Sequence, residues 1–329
     1  MQKVLYSIAV LLLSSSCLLG SDAAVLPQPD IQASSETRTA APSAPPPEAN
    51  EPEEPDFAFI AGGPYTQKKN SIQFILPAQW GRRSSIIGGS TLQHAEFGTL
   101  LRTEWGLTDR WELDVIASAE GERDRLSGRT LTSTYSLADS VVGIRYRFLQ
   151  ESSAPITLAM GPQIIVPSGS LSRGSGFNTT GFAWDVAAAK DWGGPVFLYT
   201  SVNFALFPSV NDPVIGSSRD FNLHNVFWAA ALGLRPLEKN HGTSHHDVHL
   251  FLECGLGHED FLETGATGTT RVSDLVTVFA PGIRYGFLTR TKKLLEIGVS
   301  FPIGLNHDTP RGGVIVQLQF ENVFGYQGK

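Results

Sequence analysis

From Phe57 onward, apolar and polar residues alternate with a period of two, and turn-forming residues interrupt the alternation at intervals. Val314, Val316, Leu318 and Phe320 share one face of a segment whose other face carries Gln317, Gln319 and Glu321. Trp111, Leu113 and Val115 alternate with Glu112, Asp114 and Ile116. Val142, Ile144, Tyr146 and Phe148 alternate with Gly143, Arg145 and Arg147, and Leu295, Ile297 and Val299 with Glu296 and Gly298. Twelve such segments span 70–80, 92–106, 110–120, 137–149, 156–167, 179–190, 195–208, 221–235, 247–259, 272–287, 293–304 and 312–324. Sustained helical periodicity is almost absent, so the chain reads as all-β.

The segments have the length that a tilted strand needs to cross a bilayer, and their number is even. Short connections at 107–109, 150–155, 191–194 and 288–292 alternate with longer ones, rich in Gly, Ser and Asn, at 81–91, 121–136, 168–178, 209–220, 260–271 and 305–311. The connection 236–246 breaks this rule, being long on the short-turn side. Charges on one face and Trp, Phe and Leu on the other suit a barrel with lipid outside and a polar lumen inside, and suit a soluble sandwich poorly. The expected fold is therefore an antiparallel transmembrane β-barrel of about twelve strands over residues 57–329. Trp80, Trp105, Trp111, Tyr146, Phe148, Trp192, Tyr285 and Phe324 fall at segment ends, where an interfacial aromatic girdle belongs.

Residues 1–24 have the form of a cleaved secretory signal: Lys3, the apolar run Val4–Leu19, then Ser21–Asp22–Ala23. Cys17 offers lipoprotein processing as an alternative, but no Leu stands three positions before it. Residues 25–56 hold eight prolines and seven acidic residues against Arg38, which predicts a disordered, extended linker. It is a solvated tail or, alternatively, a strip for a periplasmic partner. The linker takes −6 of the net charge of −7, leaving −1 on residues 57–329. That balance excludes nucleic acid as a partner. The expected partners are outer-membrane lipids and a small-molecule permeant, with the bacterial outer membrane as the location.

Trp105–Gly106–Leu107–Thr108–Asp109–Arg110–Trp111–Glu112–Leu113 resembles the "YGLTDRLEL" strand–turn–strand of the bacterial outer-membrane family named for the MetA pathway of phenol degradation. The likeness continues through Leu137–Arg147, Pro167–Ser168–Gly169, Ala280–Tyr285 and Leu295–Val299. The resemblance covers about 70–329 and implies a transporter-type barrel for small hydrophobic or aromatic compounds. It supplies no catalytic residues. The chain departs from such barrels in ending beyond Phe324 with Gly325–Lys329.

Parity places Arg102, Glu104, Glu112, Asp114, Arg145, Arg147, Arg284 and Glu296 on the lumen face, along with Glu96, Asp139, Asp185, Arg235, Glu253 and Glu321. A tight turn at Leu107–Asp109 sets Arg102 across from Asp114 and Glu104 across from Glu112. The first eight residues form either a ladder that selects permeants or a set of cross-strand ion pairs that fills a narrow barrel. His241, His245, His246, His249 and His258 lie close together in sequence. They are weak candidates for a metal site, because the stretch has turn character and no fixed ligand spacing. His94, Glu96 and Glu120 are the best candidates for acid–base chemistry, joined by Ser172 and His307 only if the outer loops fold over, and GxSxG and HExxH are absent. No enzyme activity and no cofactor are expected. Gly174–Ser175–Gly176 reads as loop, and Cys254 as a small residue facing lipid. The expected function is passage of small solutes, with a closed structural or adhesive barrel as the alternative.

Overall fold

The computed structural model describes residues 2–3 and 58–321, apart from 88, 171–174, 193, 213–218, 242–243, 266–267, 289–293 and 308. The expectations for residues 1–24 and 25–56, and for Phe324, lie outside the described residues, apart from the backbone of Gln2–Lys3. That two-residue strand pairs antiparallel with Glu263–Thr264.

Twelve strands make the wall: β1 Ile72–Ile87, β2 Ser90–Gly106, β3 Trp111–Leu126, β4 in two parts (Arg129–Leu137 and Ser140–Leu149), β5 Thr157–Val166, β6 Gly181–Asp191, β7 Val196–Asn211, β8 Asp220–His241, β9 Ser244–Gly265, β10 Gly268–Leu288, β11 in two parts (Leu294–Ser300 and Ile303–Gly304), and β12 Gly312–Glu321. Each pairs antiparallel with its sequence neighbour, and β12 pairs with β1 from Gly312↔Arg82 to Glu321↔Gln73, which closes the barrel and leaves it no edge. All twelve expected segments appear in the expected order.

Alternation decides which way each strand faces. Trp105, Trp111, Val115, Val142, Ile144, Leu252, Leu256, Ile283, Ile297 and Val316 are exposed on the outer surface, while the residues between them are buried in the lumen. An outer surface this apolar suits lipid rather than water. Cys254 lies between Leu252 and Leu256 on the outer face, as expected.

Three boundaries differ from the sequence reading. The loops expected at 81–91 and 121–136 are instead strand: β1–β2 pairing runs to Ile87↔Ser90 and β3–β4 pairing to Leu126↔Arg129. These extensions carry polar residues on both faces, so the ladder persists where the alternation that signals it fades. Ser127 (φ 47°) and Gly128 (φ 86°) both sit in the left-handed region, as a two-residue type I′ hairpin requires. The expected turn at 236–246 is a continuation of the β8–β9 hairpin, with a register shift between Leu234 and Leu237 at Pro236, which has no N–H to give the ladder.

The lumen is filled. Of the residues before β1, 58–67 lie inside the barrel, with Ala58, Phe59, Ile60 and Ala61 buried. From the far end, the loop between β5 and β6 tucks inward. Asp139, at the break in β4, accepts the backbone N–H groups of Gly169 (2.9 Å) and Phe177 (2.9 Å), and the Phe177 ring packs on Phe207 at 4.0 Å.

Candidate functional site

Alternation on β2, β3 and β4 turns Arg102, Glu104, Glu112, Asp114, Arg145 and Arg147 into the lumen, where all are buried or nearly so. Arg102 donates to Asp114 through Nε (3.2 Å) and Nη2 (2.8 Å) and forms an ion pair with Glu104 (2.8 Å). Arg145 lies between Glu112 (3.5 Å), Asp114 (3.6 Å) and Asp185 of β6 (3.2 Å). Arg147 turns away from this set, and its Nη2 donates to the carbonyl of Asp109 (2.6 Å), bracing the β2–β3 turn. Arg284 and Glu296 also meet, at 3.3 Å.

These residues come together as expected but in another register. Glu104, not Arg102, is directly opposite Asp114, and Arg102 is opposite Ile116. Gly106 pairs with Glu112, so five residues (107–111) rather than three separate the paired positions, which shifts β3 by two residues. A two-residue shift keeps every side chain on its face, so the Arg102–Asp114 pair forms diagonally. Glu104, Glu112 and Asp114 bring three carboxylates together. The guanidinium groups of Arg102 and Arg145 already occupy the place a metal cation would take.

The segment before β1 is bound by the same kind of charge. The carboxylate of Glu253, on β9, accepts three consecutive backbone N–H groups: Phe59 (2.8 Å), Ile60 (2.7 Å) and Ala61 (3.0 Å). Three donors on one fully buried carboxylate supply what water would otherwise give it. Gly62 N–H donates to Ser201 Oγ (2.9 Å), Arg145 donates to the Gly63 carbonyl (3.2 Å), and Gln67 N–H donates to Glu112 (2.7 Å). Gln67 Nε2 also donates to Gln73. The Phe59 ring lies against Gly282 and Gly298, where an added Cβ would come within 2.6 Å of it at either position. It meets Phe251 edge-on at 5.8 Å. Parity places Glu253 in the lumen but does not reveal this role. The available signal is the apolar run Phe57–Ala61, which follows a Pro-rich stretch and is too short to be a strand.

Across from the charged residues the lumen is rich in aromatic side chains, set among the polar groups Ser201, Asn203, Asn225, His249, Glu253 and Glu259. Phe197, Tyr199 and Phe207 on β7, Phe221, Leu223 and Phe227 on β8, and Phe251 on β9 are all buried inward. Arg284 stacks over Phe251 at 5.0 Å and Arg235 over Phe197 at 4.4 Å. A small apolar pocket lies where β11 breaks at Phe301–Pro302 and leaves its pairing with β12. Phe59, Ile60, Val278, Ile315, Pro302 and Trp80 are among its lining residues.

The remaining candidates separate. His94 bridges Asp124 (2.6 Å) and Glu96 (2.9 Å), with Glu120 on the same face, and the Thr132 hydroxyl donates to Asp124 (3.0 Å). Ser172 lies outside the described residues, and His307 is exposed on the loop after β11. The histidine group makes no common metal site among the described residues. Alternation turns His249 inward against Phe197 (5.7 Å), while His246 faces out onto Tyr285 and His258 stands near the opposite end of β9. The side chains of His241 and His245 lie outside the described residues.

No protein-family model matches this chain, and no curated protein matches it. Among solved structures, the COG4313 outer membrane channel from Pseudomonas putida F1 is similar over 79% of this chain and 97% of its own, with 13% identity and a TM-score of 0.51. The β domain of the Bordetella autotransporter BrkA is similar over 77% of this chain and 99% of its own (9% identity, TM-score 0.44). The NalP translocator domain from Neisseria meningitidis is similar over 78% and 88% (10% identity, TM-score 0.42). The first of these likenesses places the fold among outer-membrane β-barrels.

Proposed function

We propose that the protein is a bacterial outer-membrane channel for small, partly apolar solutes, held closed here by its own residues 58–71. The observation that carries this reading is the two-sided lumen, with buried ion pairs on β2–β4 and inward aromatic side chains on β7–β9. A barrel that only had to be filled needs no run of aromatic side chains beside its ion pairs. Such a track lowers the cost of moving an apolar ring through the lumen, by about 25 cal/mol for each Å² it shields from water. Membership in the MetA-pathway family of phenol degradation is part of the same proposal. It is supported by the sequence resemblance and by the fold likeness to an outer membrane channel. The mechanism is displacement of the internal segment, followed by diffusion along the aromatic side, and it requires no catalytic residue.

The clasp on Glu253 favours a second reading, a barrel permanently sealed whose outer loops bind a partner. Conductance and solute uptake separate the two. Proteoliposomes carrying the full chain, Glu253→Gln and a variant lacking 58–66 are compared for ion conductance and for uptake of a small phenol. The channel reading expects uptake by the full chain and faster uptake by both variants. A full chain and variants that are correctly folded yet impermeable to the phenol would sink the channel and favour the sealed barrel.

A further inference from the structure

At the end of the barrel away from the β2–β3 turn, β8 and β9 stop pairing at Asn225↔Glu259. Beyond that point the carboxylate of Asp260 takes the position of the next strand acceptor. Its Oδ2 accepts the backbone N–H of His224 (3.0 Å), its Oδ1 accepts the Ser273 hydroxyl, and its own N–H donates to Asn225 Oδ1 (2.9 Å). The side chain is completely covered, although its parity matches the outward residues Leu252, Cys254 and Leu256. Two imidazoles cover it. His224 Nδ1 lies 2.9 Å from Oδ2 and His258 Nε2 lies 3.5 Å from Oδ1, with ring centroids 5.5 Å apart. The cation nearest this carboxylate, Arg271, stays 3.8 Å away.

We propose that His224, His258 and Asp260 form a binding site for a divalent transition-metal ion of the Zn²⁺ class on the outer rim of the barrel. The three ligand atoms lie within 4.8 Å of one another, and ligands of a tetrahedral Zn²⁺ ion sit about 3.3 Å apart, so small ring rotations bring them into place. Two imidazoles and one carboxylate suit Zn²⁺, Ni²⁺ or Cu²⁺ and not Mg²⁺, which takes oxygen ligands. The bonds from Ser273 and the His224 backbone fix the carboxylate from behind, as outer-shell partners do in metal sites. Both imidazole side chains keep 40% or more of their exposure, so the ion reaches the site from solvent and retains open coordination positions. Bound there, it ties β8 to β9 where their backbone ladder has ended. The site is separate from the lumen and does not depend on the channel reading.

The test is titration of the full exported chain, purified in detergent, with Zn²⁺ followed by calorimetry. Variants His224→Gln, His258→Gln and the hairpin triple His241→Gln/His245→Gln/His246→Gln serve as comparisons. The expected result is one saturable ion per barrel, retained by the hairpin triple and weakened about tenfold or more by each single change. Heat-modifiable migration in gels confirms that each variant is folded. The site is overturned if the folded wild type shows no saturable binding, if both single variants bind as well as the wild type, if the hairpin triple alone abolishes binding, or if Mg²⁺ binds as tightly as Zn²⁺.

Discussion

On β2–β4 the inward positions carry Arg102, Glu104, Glu112, Asp114 and Arg145, whereas on β7–β9 the same parity carries Phe197, Tyr199, Phe227 and Phe251. Both walls are buried to the same degree, and they hold the internal segment in different ways. The charged wall grips backbone, through Glu112 on Gln67 and Arg145 on Gly63, and the apolar wall receives the rings of Phe59 and Tyr65. Glu253 joins the two modes, a carboxylate set among aromatic rings that grips the segment's backbone. A charged wall is unforgiving, since each group depends on its partner; an aromatic wall tolerates exchange among side chains of similar volume.

Removing the gripped segment should break the comparison most severely. Deletion of 58–66 frees both walls at once, and single-channel conductance in planar bilayers is expected to rise several-fold; unchanged conductance would mean that another element closes the lumen. Next comes Arg145→Ala, which removes the cation shared by Glu112, Asp114 and Asp185 and leaves Asp114 to Arg102. Denaturant unfolding should register a loss of about 3–5 kcal/mol. In the segment-deleted barrel the same change should shift the reversal potential toward cation preference, and Arg147→Ala should shift it less because Arg147 is spent on a carbonyl. On the apolar wall, Phe227→Leu should cost about 1.5 kcal/mol or less in the same unfolding assay. A cost equal to that of Arg145→Ala would erase the distinction between the walls. Smallest is Lys190→Gln, which removes a partly exposed pair with Glu151 (3.1 Å) and should change stability by about 0.5 kcal/mol.

The charged wall was legible in the sequence and the aromatic wall was not, for one physical reason. Lipid makes every outward position apolar, so a charge at the intervening position stands out, as at Glu112 and Asp114. On β7 the outward Leu198 and Leu206 flank the inward Phe197, Tyr199 and Phe207, and the segment loses its contrast. The internal segment was hidden differently. Its strongest contact joins Phe59–Ala61 to Glu253, nearly two hundred residues away, through backbone N–H groups that every sequence possesses. The His224–His258–Asp260 cluster likewise depends on the place where two strands part, which alternation does not mark.

The seam between β12 and β1 joins the last strand of the wall to its first, some 240 residues apart along the chain. Contacts of such separation form late, because the intervening loop entropy must be overcome before they reward the chain. Until they form, the nascent sheet is an open trough. Phe59–Ala61 can then settle sideways onto β9; after the seam shuts, the same residues can reach Glu253 only by threading end-on. The internal segment can thus act as a mandrel around which the last strand is wrapped.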